Sequence, residues 1–221
     1  MKVAQIWRYP VKSMGGEKIT RVVVSALGIE GDRVVHVENA QGHVITARTH
    51  YRLLGHHATL NESGDPIVDG LLWSDPRVRI DVEDIVGPGA RLVRDESIDH
   101  FDVLPLLVAT DGAIAAFGHD GRRLRPNLVI GGVEGLAERS WPGRCLRIGD
   151  VIIGIQDLRG RCIMTTFDPD SLKQDRQVLS GIVQKFGGTL ALNCYAIRGG
   201  EIRVGDPVEL VPEHECEAIR A

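Results

Sequence analysis

Short apolar runs that alternate with polar residues and are broken at roughly ten-residue intervals by glycine constrain this chain more than any other feature. A period of two places alternate side chains on opposite faces, so each run reads as a strand with one face to bury. The runs predict strands near residues 3–9, 20–25, 34–38, 44–48, 53–60, 77–81 and 90–94, which suggests a barrel-like first half. The second half mixes classes. A short helix over 111–117 is opened by Thr110-Asp111 and stopped by Gly118, and strands follow near 127–130, 145–148, 150–156, 189–197 and 208–211. Leu179, Ile182, Val183 and Phe186 recur at helical spacing ahead of Gly187-Gly188, with Ser171 (boxed with Gln174) or Asp175 as the cap. A seam within 87–101, around Gly87-Pro88-Gly89, divides the chain into 1–95 and 96–221. The expected fold is mostly β with a few helices.

With 221 residues, 43% of them hydrophobic, the chain has enough apolar surface to fold without disulfides or a structural metal. Its 26 Lys and Arg against 30 Asp and Glu leave a net charge of −4, which excludes nucleic acid or anionic membrane as a partner recognised through the overall field. A local basic pocket is compatible with that balance. Cys145, Cys162, Cys194 and Cys216 form no C-x-x-C, so neither a zinc ribbon nor an iron–sulfur cluster is expected. The chain shows no signal-peptide pattern at its start and no membrane-span window, and free thiols in a reducing cytoplasm are the simplest expectation.

The segment Leu158-Arg159-Gly160-Arg161-Cys162-Ile163-Met164-Thr165-Thr166-Phe167-Asp168-Pro169-Asp170 places a thiol beside two guanidinium groups and ahead of a hydroxyl-rich turn. Cationic neighbours favour a thiolate, the form that a soft metal or a sulfur-transfer step requires. A small buried hydrophobe is the other reading of Cys162. Lys12-Ser13, Asp32-Arg33, Arg48 and Arg122-Arg123-Leu124-Arg125-Pro126-Asn127 place cations at turns, where they bind phosphate or form solvated faces and local ion pairs. No phosphate-binding G-x-x-x-x-G-K-[ST] and no G-x-G-x-x-G on a strand–turn–helix occurs, which excludes an ordinary nucleotide site. His56-His57 cannot chelate one ion from a regular strand, and no G-x-S-x-G or acid–base carboxylate pair stands out.

Taken in order, Tyr9-Pro10-Val11-Lys12-Ser13, Gly28-Ile29-Glu30-Gly31-Asp32-Arg33, Val44-Ile45-Thr46-Ala47-Arg48, Arg125-Pro126-Asn127-Leu128-Val129-Ile130, Arg161-Cys162 through Pro169 and Val204-Gly205-Asp206-Pro207-Val208 cover nearly the whole chain. In this pattern the chain resembles the MOSC family, named for the C-terminal domain of molybdenum-cofactor sulfurase, with its associated N-terminal β-barrel domain packed on a β-barrel MOSC domain. Within that family it is similar to the amidoxime-reducing and bacterial N-hydroxylamine-reducing members.

The resemblance implies a molybdenum cofactor (molybdopterin) between the domains, with Cys162 as the metal ligand and catalytic residue. It implies cofactor contacts from Lys12, Ser13, Arg33, Thr110, Asp111, Arg125, Asn127 and Arg161. Gly160 departs from the small hydroxyl residue expected two positions before the cysteine. The domain's generic association with pyridoxal phosphate comes with the same resemblance. The implied activity is reduction of N-hydroxylated or N-oxygenated small molecules. Lacking a dinucleotide fingerprint and the plant-type ferredoxin spacing, the chain would draw electrons from a separate flavin or iron–sulfur reductase. A cofactor carrier or persulfide relay without turnover is the alternative.

Overall fold

The computed structural model describes residues 1–95, 101–212 and 214–216. The chain opens with β1 (Lys2–Arg8), β2 (Glu17–Ile19), β3 (Arg21–Ser25), β4 (Gly28–Ile29), β5 (Val35–Glu38) and β6 (Val44–Ile45). A 3-10 turn at Tyr51–Gly55 leads into β7 (Ala58–Leu60), β8 (Pro66–Val68) and β9 (Leu71–Leu72), then helix α1 (Pro76–Val86) and β10 (Arg91–Arg94). The second half runs β11 (Leu106–Thr110), α2 (Asp111–Phe117), β12 (Leu128–Gly131), β13 (Cys145–Ile148), β14 (Val151–Gly160), α3 (Arg176–Phe186), β15 (Thr189–Arg198), β16 (Gly200–Arg203) and β17 (Glu209–Val211).

Eight strands make the main sheet in the order β17-β13-β14-β15-β11-β12-β1-β2, antiparallel throughout except between β11 and β12. Three small sheets, β10-β5-β6, β16-β3-β4 and β7-β8-β9, complete the strands, and among the described residues none of the sheets closes on itself. The fold is therefore mostly strands with a few helices, as the alternation implied. Among the described residues no helix is long and apolar enough to cross a membrane.

The register explains how the two halves hold together. Strand β1 lies inside the main sheet, with Ile6 opposite Leu128 of β12. Val3 and Ile6 therefore pack in one core with Val108, Ile130, Leu146, Ile153 and Leu192. A second core gathers Val11, Met14, Val35, Ala47, Leu53 and Val68 under α1, and a third lies between α2 and α3 around Phe117, Leu124 and Ile182.

Several local expectations are corrected. Residues 77–81 lie in a helix: Asp75 caps it by accepting from the Arg77 N–H at 2.9 Å, and Pro76 sits in its first turn. Val78 and Val82 are buried four residues apart while Ile80 is 62% exposed, so the alternation of Val78 and Ile80 does not mark a sheet face. Only the end of the 53–60 run is a strand. In α3 the cap is Asp175, and the buried stripe is Val178, Ile182 and Phe186 with Val183 turned to solvent. Ser171 instead bonds Asp168. The expectation of free thiols is corrected at one pair: Cys145 and Cys216 form a disulfide, leaving Cys162 and Cys194 free.

Truncating Ile6 to Ala in the shared core should cost about 2–5 kcal/mol. Calorimetry should still show one cooperative transition, because β1 belongs to the second half's sheet; two resolved transitions would contradict a shared core.

Candidate functional site

A cleft opens where the turns after β1 and β14 approach each other. Beyond β1 the chain turns through Pro10–Ser13, fixed by hydrogen bonds from the Lys12 N–H to the Val35 carbonyl at 2.8 Å and from Arg33 N–H to the Tyr9 carbonyl at 2.7 Å. Ser13 has a left-handed backbone (φ 71°), and its Oγ accepts from the Ala47 N–H at 3.0 Å. The Gly28–Arg33 turn closes against the same strand. A Cβ at Gly28 would stand 2.7 Å from the Pro105 carbonyl oxygen, so this close approach requires glycine.

A buried knot ties these turns to β12. Asp32, 2% exposed, accepts from the Tyr9 N–H at 2.7 Å and from Asn127 Nδ2 at 3.1 Å, and pairs with Arg33. Asn127 Oδ1 accepts from the Leu107 N–H at 3.0 Å. The Tyr9 ring carries the Arg125 guanidinium at 4.3 Å and that of Arg33 at 5.4 Å. Burial pushes the Tyr9 hydroxyl up to about 12, against the pull of both cations.

The cleft beside this knot has a volume of about 240 Å3. Among the described residues seven cationic side chains line it, Lys12, Arg33, Arg48, Arg123, Arg125, Arg159 and Arg161, with one carboxylate, Asp102. Arg33 is held by Asp32, and Arg123 by Asp168 at 3.0 Å. Asp102 is contacted by Lys12 at 3.1 Å, Arg48 at 2.8 Å and Arg159 at 3.6 Å. Burial works against its charge, but Lys12 and Arg48 hold the carboxyl below its ordinary range. Among the described residues Arg125 and Arg161 have no carboxylate partner. Arg161 donates to the Leu124 carbonyl at 2.7 Å and leaves its buried Nε unbonded. Burial lowers both guanidinium groups to about 10. Such a pocket suits an anion with several acceptor oxygens.

Cys162 opens onto the same cleft, half-buried. Arg159, at the end of β14, and Arg161, just beyond it, both line the cleft, where the pairing of β14 with β15 is irregular between Leu158 and Gly160. Strand β14 ends at Gly160, and a 3-10 turn follows with Cys162 at its head: the Cys162 carbonyl accepts from the Thr165 N–H at 3.1 Å and Thr165 Oγ1 at 2.8 Å. A Cβ at Gly160 would meet nothing within 4 Å, so the glycine leaves open space on the cleft wall.

The structure thus brings Lys12, Ser13, Arg33, Arg125, Arg161 and Cys162 to one cavity. Asn127 stands behind it with its amide committed to the knot. Thr110 and Asp111 lie elsewhere. Thr110 is fully buried, caps α2 through the Ala113 N–H at 3.1 Å and meets Glu138 at 3.3 Å. Asp111 accepts from the N–H groups of Gly132 at 2.7 Å and Val133 at 3.0 Å. Both stand at the far end of β11 from Leu107, which bonds Asn127. Asp102 was missed because no local pattern marks it; its partners Lys12 and Arg159 are distant in sequence. Arg122 and Arg125 divide the basic run between two roles, the first bonded to Asp120 and Asp170 and the second facing the cleft.

Comparison with known proteins gives two family matches, a MOSC N-terminal beta barrel domain over residues 1–84 and a MOSC domain over residues 112–209. The human protein "Mitochondrial amidoxime-reducing component 1" is 27% identical over 280 residues, covering 95% of this chain and 82% of its own length. "Mitochondrial amidoxime reducing component 2" of Macaca fascicularis is 25% identical, covering 93% and 82%. The crystal structure of the YuaD protein from Bacillus subtilis shares the fold, with TM-score 0.53 at 13% identity over 95% of this chain and 94% of that one.

An anion that satisfies Arg125 and Arg161 should offset the cost of burying them. Inorganic phosphate should raise the melting temperature, reaching about 2.7 kcal/mol at a hundred times its Kd. Arg161→Met should lose most of that response, and a phosphate-independent wild type would contradict an anion pocket. Thr110→Val should cost about 1 kcal/mol through the lost cap while leaving the phosphate response intact.

Proposed function

Since the chain belongs to the MOSC family, carrying the N-terminal beta barrel domain ahead of the MOSC domain, we propose that it binds a molybdenum cofactor and reduces N-hydroxylated or N-oxygenated small molecules. The observation that carries the reading is the Cys162 sulfur opening onto a cleft lined by seven cations. Among the described residues no cluster of three or more His, Cys, Asp and Glu could hold a bare ion. A metal at Cys162 would therefore arrive with ligands of its own, and the cationic walls suit an anionic organic carrier.

The residues present fit such a group. Lys12, Arg48, Arg125, Arg159 and Arg161 would grip its phosphate, with Arg161 Nε offering an unused donor. Ser13 Oγ already accepts from Ala47, so its hydroxyl proton is available to a ligand oxygen. Arg33, fixed by Asp32 and stacked on Tyr9, would set the orientation. Cys162 would ligate the metal. When bound, the group supplies a two-electron centre that takes oxygen from nitrogen. The electrons would come from a separate flavin or iron–sulfur reductase, in keeping with the amidoxime-reducing activity that the relatives' names carry.

Expression in a molybdate-fed, cofactor-competent host should give protein with near-stoichiometric molybdenum that converts benzamidoxime to benzamidine. Cys162→Ser should fold with little change in melting temperature and lose about a hundredfold in activity through loss of the sulfur ligand. Folded wild-type protein that carries no molybdenum from such a host would end this reading.

A further inference from the structure

A second, larger cleft of about 530 Å3 adjoins the cationic one, since Arg123, Arg125 and Met164 line both. Its apolar lining includes Trp7, Leu54 and Phe167, the last with its ring stacked on Tyr51 at 4.6 Å and 3°. His56 lines the same space. Its Nδ1 lies 2.6 Å from Asp69 Oδ2. That carboxylate is itself oriented: Asp69 Oδ1 accepts from the His57 N–H at 2.8 Å, and the Asp69 N–H donates to the His57 carbonyl at 2.9 Å. Asp69 (φ 49°) and Gly70 (φ 84°) form the two-residue turn between β8 and β9, where Asp-Gly suits the left-handed backbone. The His56 carbonyl accepts from the Gly15 N–H at 2.8 Å, which fastens the imidazole's backbone next to the turn bearing Lys12 and Ser13.

With Nδ1 committed to a carboxylate, the tautomer is set and Nε2 is the nitrogen left to exchange a proton with the cleft. Reduction of an N-hydroxylated compound needs such a group. The N–O bond breaks with two electrons from the reductase; one proton completes the departing oxygen as water and a second completes the amine. The other charged groups on this cleft are poorly suited. Glu17 accepts from Arg8 at 2.7 Å and from the Leu60 N–H at 3.0 Å, and Arg122 is held by Asp120 and Asp170. Arg125, lowered by burial only to about 10, keeps its proton at neutral pH. His57 shares the wall, but Asp69 holds its backbone rather than its ring.

We propose that His56, oriented by Asp69, is the proton donor to the oxygen released in the reduction, working from the cleft that holds the substrate's body. The imidazole is reprotonated by solvent at the cleft mouth. This assignment rests on the reductase reading above.

The test compares wild type, His56→Gln, His57→Gln and Asp69→Asn, each loaded with molybdenum to the same content and reduced chemically, so that no partner protein intervenes. The wild-type kcat/KM for benzamidoxime should fall on the alkaline side of its pH profile, as expected when the donor must carry the proton it gives. His56→Gln should lose about a hundredfold and with it that limb of the profile. Asp69→Asn should fall between the two, and His57→Gln should follow wild type. In cofactor-free, 15N-labelled protein, benzamidoxime should shift the Nε2 resonance of His56. Turnover by His56→Gln with the wild-type pH profile, or a His56 resonance that benzamidoxime leaves unmoved, overturns the assignment alone. Loaded wild-type protein that turns over no N-hydroxylated compound removes the reductase reading, and the assignment with it.

Discussion

The buried Asp32 carboxylate is the constraint on which the site depends. It lies where the turn after β1, the Gly28–Arg33 turn and the start of β12 meet, and it bonds a group from each: the Tyr9 N–H, the Arg33 guanidinium and the Asn127 amide. A carboxylate taken this far out of water is tolerated only because every side of it is bonded, and removing one partner of such a buried pair typically costs about 3–5 kcal/mol. It fixes the Tyr9 backbone, and the Tyr9 ring carries two guanidinium groups on the cleft wall.

The cleft itself works against stability. In a chain with a net charge of −4, seven cations and a single carboxylate line one cavity among the described residues. Burial lowers Arg125 and Arg161 to about 10, so both stay charged at neutral pH but hold that charge less favourably than in water. A protein selected for stability alone would supply acids or hydrophobes at these positions. Unsatisfied donors around a half-buried thiol are the cost of a pocket preorganised for an anionic ligand. The His56–Asp69 pair shows the contrasting arrangement on the neighbouring cleft, where the imidazole has one nitrogen satisfied and one kept for exchange.

Much of this was legible along the chain. The alternation of Arg21 to Ser25 marked a strand with one buried face, Asp111–Phe117 was bracketed by a cap and a glycine, and Arg161-Cys162 stood out as a thiol beside cations. Where the reading failed, a longer-range force decided. Val78 and Ile80 alternate like a strand, but the Asp75 cap and the buried pair Val78 and Val82 make a helix. Thr110 has the chemistry of a ligand contact, yet it is spent on capping α2 and meeting Glu138. Asp102 carries no local mark at all, because Lys12, Arg48 and Arg159 reach it only after the chain has folded.

By itself, then, the sequence determined the strand-rich class, the helix caps and the presence of a thiol flanked by guanidinium groups. These follow from period, capping and charge within a few residues of each other, where the chain's own geometry settles what can touch. Tertiary structure alone decided that β1 would sit inside the second half's sheet, which cations would share a cavity, which cysteines would pair, and which histidine would find a carboxylate. Those outcomes depend on contacts between residues tens of positions apart, and such contacts form only where packing of the cores brings the segments within a few ångströms.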